Sequence, residues 1–260
     1  MLTALGSISA QQSKGTEKTY ADTLWLLNYA ATHPNAKIRY TASDMILYMH
    51  SDTSYLSEPQ ARSRAGRHYF LGYKRPDMTT PTTNRPRLNG PIHSISRIMS
   101  NVMGSAAEAE IDAAYINGQE SVPIRTLLHK LGHPQPAMPI QVDNSTVDGF
   151  ANDTIKQKRS KAIDMRFYWI RERTSQGQFL IYWQPGITNL GNYHTKHHSL
   201  AHQKLMRPTY LHTLEELAQC TIAHILRRCV NSHLPKTVRH GTSLHRICPK
   251  LLIDLSPSRL

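Results

Sequence analysis

Two short apolar runs that follow long helical connections constrain the fold of this chain more than any other feature. Residues 139–143 and 179–183 have the length and composition of buried strands, and helical patterns precede both. A strand that is reached through a connection of a dozen or more residues lies parallel to its neighbour, by a right-handed crossover. We therefore expect both runs to extend a sheet in parallel.

Three further strands are expected earlier in the chain, where hairpin-like connections make them antiparallel. They are supplied by the apolar run 45–51, the alternating stretch 62–73 and the stretch 92–99. Helical patterns span residues 14–33, 105–118, 120–131, 145–154, 161–176 and 189–206. This order predicts an α/β fold: a mixed five-stranded sheet with helices on both faces, an N-terminal helix and a divergent C-terminal tail.

The chain carries a strong positive charge. Its formal net charge is +13 and its pI is near 9.8 over 260 residues. This balance favours a polyanionic partner, nucleic acid first and an anionic membrane surface second, although a basic protein without a partner can have the same composition. No apolar stretch approaches the roughly 20 residues that a membrane span needs.

The cysteines indicate a reducing environment. The chain has three, Cys220, Cys229 and Cys248, and all lie near the C-terminus. An odd and sparse set argues against a disulfide framework. We therefore expect no disulfide partner, no membrane association and an intracellular location, cytoplasmic or nuclear.

Three acidic residues stand where expected elements begin or end. Asp52 follows an apolar run, Glu110 lies near the start of a helical stretch, and Asp143 ends the first of the two later strands. A strand end, a helix and a second strand end can converge on one point, and clustered carboxylates hold hard divalent cations. The sequence therefore predicts a metal site at this convergence.

Five short motifs follow one another along the chain: SDTSY at 51–55, SAAEAE at 105–110, VDNS at 142–145, SKAIDMR at 160–166 and LGNYHTK at 190–196. By these motifs, residues 44–198 resemble the ribonuclease H region of copia-type retrotransposon polyproteins. Residues 11–40 resemble the segment that links the reverse transcriptase to that region. The resemblance implies a truncated polyprotein fragment with a connection segment at 1–43 and a ribonuclease H-like domain at 44–206. A basic tail containing His and Cys follows at 207–260, for which we expect a helix and then disorder.

The resemblance also implies an activity. Members of this family cut RNA in RNA–DNA hybrids with two Mg²⁺ ions, for which Mn²⁺ is a substitute. Carried over by position, the family's metal-binding carboxylates correspond to Asp52, Glu110 and Asp143. An RNA–DNA hybrid is therefore the expected partner.

Two glutamates compete for the helical position of this set. Glu108 and Glu110 lie two residues apart in the same motif. We prefer Glu110, because Ala113 and Asn117 then fall on the face where the family's helix packs on its sheet.

The family's fourth carboxylate belongs to the pattern Leu-Ala-Asp-x-Phe-Thr-Lys, and this chain has Asn192 at the aspartate position. An amide can coordinate a metal through its carbonyl oxygen, but it contributes no charge. Two hypotheses follow: a hybrid endoribonuclease whose catalysis is impaired at Asn192, and a catalytically dead relic that only binds nucleic acid through its basic surface.

A basic run follows the second acidic strand end. It contains Lys156, Lys158, Arg159 and Lys161. Its position favours contact with nucleic-acid phosphates, and the alternative is an ordinary solvated loop.

Overall fold

The computed structural model describes residues 1–74, 87–155, 164–209, 211 and 212. The described helices are α1 (Leu2–Ser9), α2 (Glu17–Ala31), α3 (Ala106–Lys130), α4 (Ser145–Ala151), α5 (Asp164–Ser175) and α6 (Leu200–Met206). The described strands are β1 (Ile46–Glu58), β2 (Arg62–Gly72), β3 (Pro91–Ile98), β4 (Met138–Val142) and β5 (Phe179–Trp183). The chain divides into two compact units, Met1–Leu214 and Glu215–Leu260, and the second lies outside the described residues.

The five strands form one mixed sheet in the order β3-β2-β1-β4-β5. β2 is antiparallel to both β1 and β3, whereas β4 is parallel to both β1 and β5. The chain reaches β4 through α3, and it reaches β5 through α4 and α5. This is the mixed sheet with helices that the ribonuclease H resemblance implies, so the predicted fold class is confirmed.

The main core lies on the face of the sheet that α3, α4 and α5 cover. Because side chains alternate along a strand, Leu47 and Met49 of β1 point to this face, and both are fully buried. Burying one such side chain contributes about 1.5–3 kcal/mol. The buried cluster consists of Leu47, Met49, Tyr69, Ile111, Ala114, Leu128, Met138, Ile140, Val142, Val147, Ala151, Phe167, Ile170, Phe179 and Ile181.

The opposite face carries α1 and a short 3₁₀ segment, Leu190–His194. The fully buried Arg64 of β2 fastens α1 there, since its Nη2 donates to Ser7 Oγ at 2.9 Å. The same guanidinium pairs with Glu58 at 2.6 Å, so its charge is compensated within the sheet. Helices therefore cover both faces.

Several helical boundaries differ from the prediction, and α1 was not expected. Two helices were expected around Pro123, but α3 continues through it, because the helix is buried on both sides of the proline, at Ser121 and Leu128. A single helix over 189–206 is also wrong: the 3₁₀ segment ends before Thr195, and α6 begins only at Leu200.

The first strand also extends further than predicted. The strand was expected to end near residue 51, yet β1 pairs with β2 without interruption as far as Ser54 opposite Arg64 and pairs again at Glu58 opposite Arg62. Buried polar groups there are satisfied within the sheet, since Thr53 Oγ1 donates to the Arg64 carbonyl at 2.9 Å. Asp52 therefore lies inside a strand rather than at its end.

Several predicted features fall outside the described residues. These are the basic run from Lys156 to Lys161, the three cysteines and the tail from residue 213 onward. Within the described ranges, no helix has the length and apolar character required to cross a membrane.

Candidate metal centre

Asp52, Glu110 and Asp143 converge at one edge of the main core. One carboxylate oxygen from each can be chosen so that all three lie within 4.8 Å of one another. Asp52 is fully buried, Glu110 is 7 % exposed and Asp143 is partly exposed. The proximity expected from the sequence is therefore present.

The divergence of two parallel strands opens this position. β1 pairs with β4 only at Met49 and His50, and Asp52 comes two residues after the last pair. Asp143 directly follows the end of β4. Because the last parallel pair joins His50 to Gln141, Asp52 and Asp143 each lie two residues beyond it, side by side where the strands diverge.

The N-terminal part of α3 supplies the third carboxylate. Ala113 is buried one turn after Glu110, and further along the helix Asn117 Nδ2 donates to Ser51 Oγ at 2.8 Å and to the Gly66 carbonyl at 3.0 Å. This packing turns Glu110 inward. Glu108 lies on the outer side, where its Oε2 accepts the Gly104 N–H at 2.7 Å. The preference for Glu110 therefore matches the observed helix orientation.

Side chains near the site form hydrogen bonds with the backbone of β1 beyond the point where β1 stops pairing with β4. Asn189 Nδ2 donates to the Ser51 carbonyl at 2.7 Å. The backbone N–H of Thr53 donates to the Glu110 carboxylate. The carboxylate of Glu110 is thus held in place by the strand that carries Asp52.

The local electrostatics disfavour three bare negative charges. Burial raises the pKa of Asp52 to about 7, while the Lys196 ammonium acts in the opposite direction. Burial also raises the pKa of Glu110 well above its usual range, and the charges of Asp52 and Asp143 raise it further. Near neutral pH, full ionisation of the set therefore requires compensating positive charge.

The donor set fits a hard divalent cation. It offers only carboxylate oxygens, which such ions prefer. Among the described residues, Glu110 Oε2 has no hydrogen-bond partner although it is buried. A buried oxygen of this kind is costly unless something positive or hydrogen-bonding meets it. A cation bound by the three carboxylates would provide that partner.

Asn192 lies beside the carboxylates, on the 3₁₀ segment. A Cβ built on Gly186 would be 2.7 Å from Asp143 Oδ2 and 3.3 Å from Asn192 Nδ2, so both groups flank that glycine. Asn192 Nδ2 donates to the Gly186 carbonyl. The position predicted for a fourth ligand is therefore adjacent to the site, with its amide nitrogen bonded to the backbone.

Two residues that sequence reasoning gave no role also contact the site. Thr195 Oγ1 donates to Asp52 Oδ2. Lys196 Nζ donates to Asp52 Oδ1 at 3.2 Å and to Asn192 Oδ1 at 2.7 Å. Both belong to the LGNYHTK motif. The family pattern also ends in Thr-Lys, and this shared pair is the sequence feature that could have indicated their contact with the site.

Two glycines allow the 3₁₀ segment to touch the sheet. A Cβ on Gly191 would lie 3.0 Å from both the Cβ and the backbone nitrogen of Asp52. A Cβ on Gly66, which pairs with Asp52, would lie 2.8 Å from the Gly191 carbonyl oxygen. These contacts are too close for a side chain, so both glycines are required for the observed packing.

This chain resembles a piece of a retrotransposon Pol polyprotein. Over 109 residues it is 28 % identical to the retrovirus-related Pol polyprotein from transposon TNT 1-94 of Nicotiana tabacum. The match covers 39 % of this chain and 8 % of that polyprotein, so the chain corresponds to a small part of its relative. No protein-family model matches the chain.

Similar solved structures include three with ribonuclease H in their names. The N-terminal RNase H domain of rv2228c from Mycobacterium tuberculosis has 14 % identity and a TM-score of 0.39, covering 60 % of this chain and 91 % of that one. LC11-RNase H1 in complex with an RNA/DNA hybrid has 14 % identity and a TM-score of 0.39, covering 55 % and 88 %. The PFV RNase H domain has 16 % identity and a TM-score of 0.33, covering 60 % and 90 %.

Proposed function

We propose that this chain is a ribonuclease H-like nuclease from a copia-type retroelement, acting on the RNA strand of RNA–DNA hybrids. The observation that carries the proposal is the convergence of Asp52, Glu110 and Asp143 around a buried, unpartnered carboxylate oxygen. The similarity to a Pol polyprotein and the ribonuclease H-like sheet support the same assignment.

The three carboxylates would hold Mg²⁺, with Mn²⁺ as a substitute. When bound as a pair, such ions activate water and stabilise the leaving 3′ oxygen of a phosphodiester. The chain's own residues then have separate tasks. Glu110 is oriented by the Thr53 N–H, and Asp52 is oriented by Thr195. Asn192 adds an oxygen but no charge, which is why we propose impaired turnover.

The positive charge of the chain supports binding of a nucleic-acid backbone. At a net charge of +13, phosphate contacts would release counterions and make affinity fall as salt rises. Lys156, Lys158, Arg159 and Lys161 are our proposed phosphate contacts. We also keep 1–43, 44–206 and 207–260 as proposed segments, since β1 begins at Ile46 and α6 ends at Met206.

The decisive experiment is cleavage of a hybrid with a labelled RNA strand, in Mg²⁺ and separately in Mn²⁺. We expect weak cleavage by the full chain, stronger in Mn²⁺, and none of duplex DNA. Glu110→Gln should reduce cleavage by at least about 100-fold, or ~3 kcal/mol of barrier. Glu108→Gln is the matched control, because Glu108 caps the start of the helix instead of facing the site, and it should retain activity.

Asn192 favours one other function, a relic that binds hybrid without cutting it. The same assay separates the two. Hybrid binding in a gel-shift measurement with no cleavage in either metal would establish the relic, whereas cleavage lost equally in both glutamate variants would remove Glu110 from the site.

A further inference from the structure

The ammonium group of Lys196 lies where the site needs positive charge. Its nitrogen is 3.2 Å from Asp52 Oδ1 and 2.7 Å from Asn192 Oδ1. It therefore bridges a proposed metal ligand and the residue that replaces the fourth carboxylate. Asp52 is fully buried, so this contact is the salt bridge that meets its charge among the described residues.

The charges of the site can be counted. Ionised Asp52, Glu110 and Asp143 carry three negative charges, which one ammonium and one divalent cation balance. The family pattern described above has four carboxylates, two divalent ions and the same lysine, which leaves one excess positive charge. Two divalent ions in this chain, with Lys196 in place, would leave two excess positive charges in a buried site, one more than in the family pattern. Uncompensated charge there is strongly unfavourable.

We propose that Lys196 takes the place of one of the two cations, so that this chain binds a single divalent ion at the carboxylate site. The inference rests on the proposed function and refines it. Asn192 and Lys196 act as a unit: the amide oxygen accepts the ammonium without adding a charge that would recruit a second ion.

An ordinary surface ion pair is the competing interpretation of this contact. The Lys196 side chain is 42 % exposed, and exposed pairs contribute little. However, both of its partners are buried, and the ammonium contacts two site oxygens rather than one. The exposed stem also implies that the ammonium can leave when a competing cation is attracted strongly enough.

The test is the number of Mn²⁺ ions bound by the metal-free full chain, measured by calorimetric titration and by electron paramagnetic resonance. The wild type should bind one ion, without the spin coupling of a close Mn²⁺ pair. Lys196→Gln removes the competing charge, and Asn192→Asp adds an attracting one. Each should increase the affinity for a second ion at least about tenfold, equivalent to ~1.4 kcal/mol, and the double variant should bind a coupled pair.

The control is Lys130→Gln, which removes the same charge from the exposed end of α3. It should bind one ion with wild-type affinity. Two ions of similar affinity in the wild type would overturn the inference and leave the metal centre intact. The inference would also be overturned if the Lys196→Gln variant, shown by circular dichroism to be folded, still bound only one ion. No Mn²⁺ bound by the wild type would overturn the metal centre itself, and with it the proposed nuclease.

Discussion

Replacing Asn192 with aspartate should increase the rate of hybrid cleavage, and the distances around Asn192 give the expected size of the increase. The Asn192 and Asp52 side-chain oxygens both lie within 3.2 Å of the Lys196 nitrogen, so a new charge at 192 would act directly on the site. Two unit charges ~4 Å apart interact by about 4 kcal/mol at an effective dielectric constant near 20. If about a third of this is realised in the transition state, cleavage increases about tenfold.

The same substitution should weaken the metal-free protein. Asn192 Nδ2 donates to the Gly186 carbonyl, and a carboxylate would place an acceptor against that oxygen. Losing a donor in a buried position costs about 1–3 kcal/mol. We therefore expect Asn192→Asp to unfold at lower urea concentration in chelator, and to recover more stability than the wild type when Mn²⁺ is added.

Both effects can be measured with one pair of proteins and one control. Asn28→Asp adds the same charge on the exposed α2 and should change neither cleavage nor the metal-dependent stability. The reasoning is refuted if the parent enzyme cuts hybrid and Asn192→Asp cuts it at the same rate, with the same response of stability to Mn²⁺.

Three further predictions concern packing, pH and salt. Gly191→Ala should destabilise the fold by about 1–3 kcal/mol in urea denaturation, because the new methyl meets Asp52, whereas Gly15→Ala, with no atom within 4 Å, should not. Burial lowers the pKa of His68 well below 6.5. The stability that the neutral imidazole contributes is therefore fully present above pH 6.5 and is lost as the pH falls below that value. His68→Gln should reduce that acid-induced loss of stability, and an unchanged dependence of stability on pH would contradict it. Neutralising the four cations of the basic run should flatten the salt dependence of hybrid binding; an identical slope would show an ordinary solvated loop.

Much of the fold could be predicted because strand signals are local. Apolar runs and alternation identified all five strands, and the lengths of the connections gave their relative directions. The continuous α3 could not be predicted, because Pro123 is a local break signal and burial of the flanking turns outweighs it. The length of β1 was missed for a similar reason, since its polar half is stabilised by pairing with β2.

The clustering of the three carboxylates could be predicted from the sequence, but the residues that surround this candidate site could not. Asp52, Glu110 and Asp143 stand at recognisable positions in three motifs. Lys196 reaches Asp52 across 144 residues of sequence, and no local pattern encodes that contact. The requirement for glycine at 191 was also hidden, since helix propensity alone favours alanine there by about 1 kcal/mol.

The close contact between Gly191 and Asp52 also restricts the order in which this sequence could change by mutation. The family pattern has alanine and aspartate where this chain has Gly191 and Asn192. An exchange of amide for carboxylate at 192 preserves side-chain shape, whereas a methyl group at 191 has no room until β1 moves away from the 3₁₀ segment. The two positions are therefore not independent. A bound cation can offset the cost of the change at residue 192, whereas nothing offsets the steric clash at residue 191, so a return to the family pattern is easier through residue 192 first.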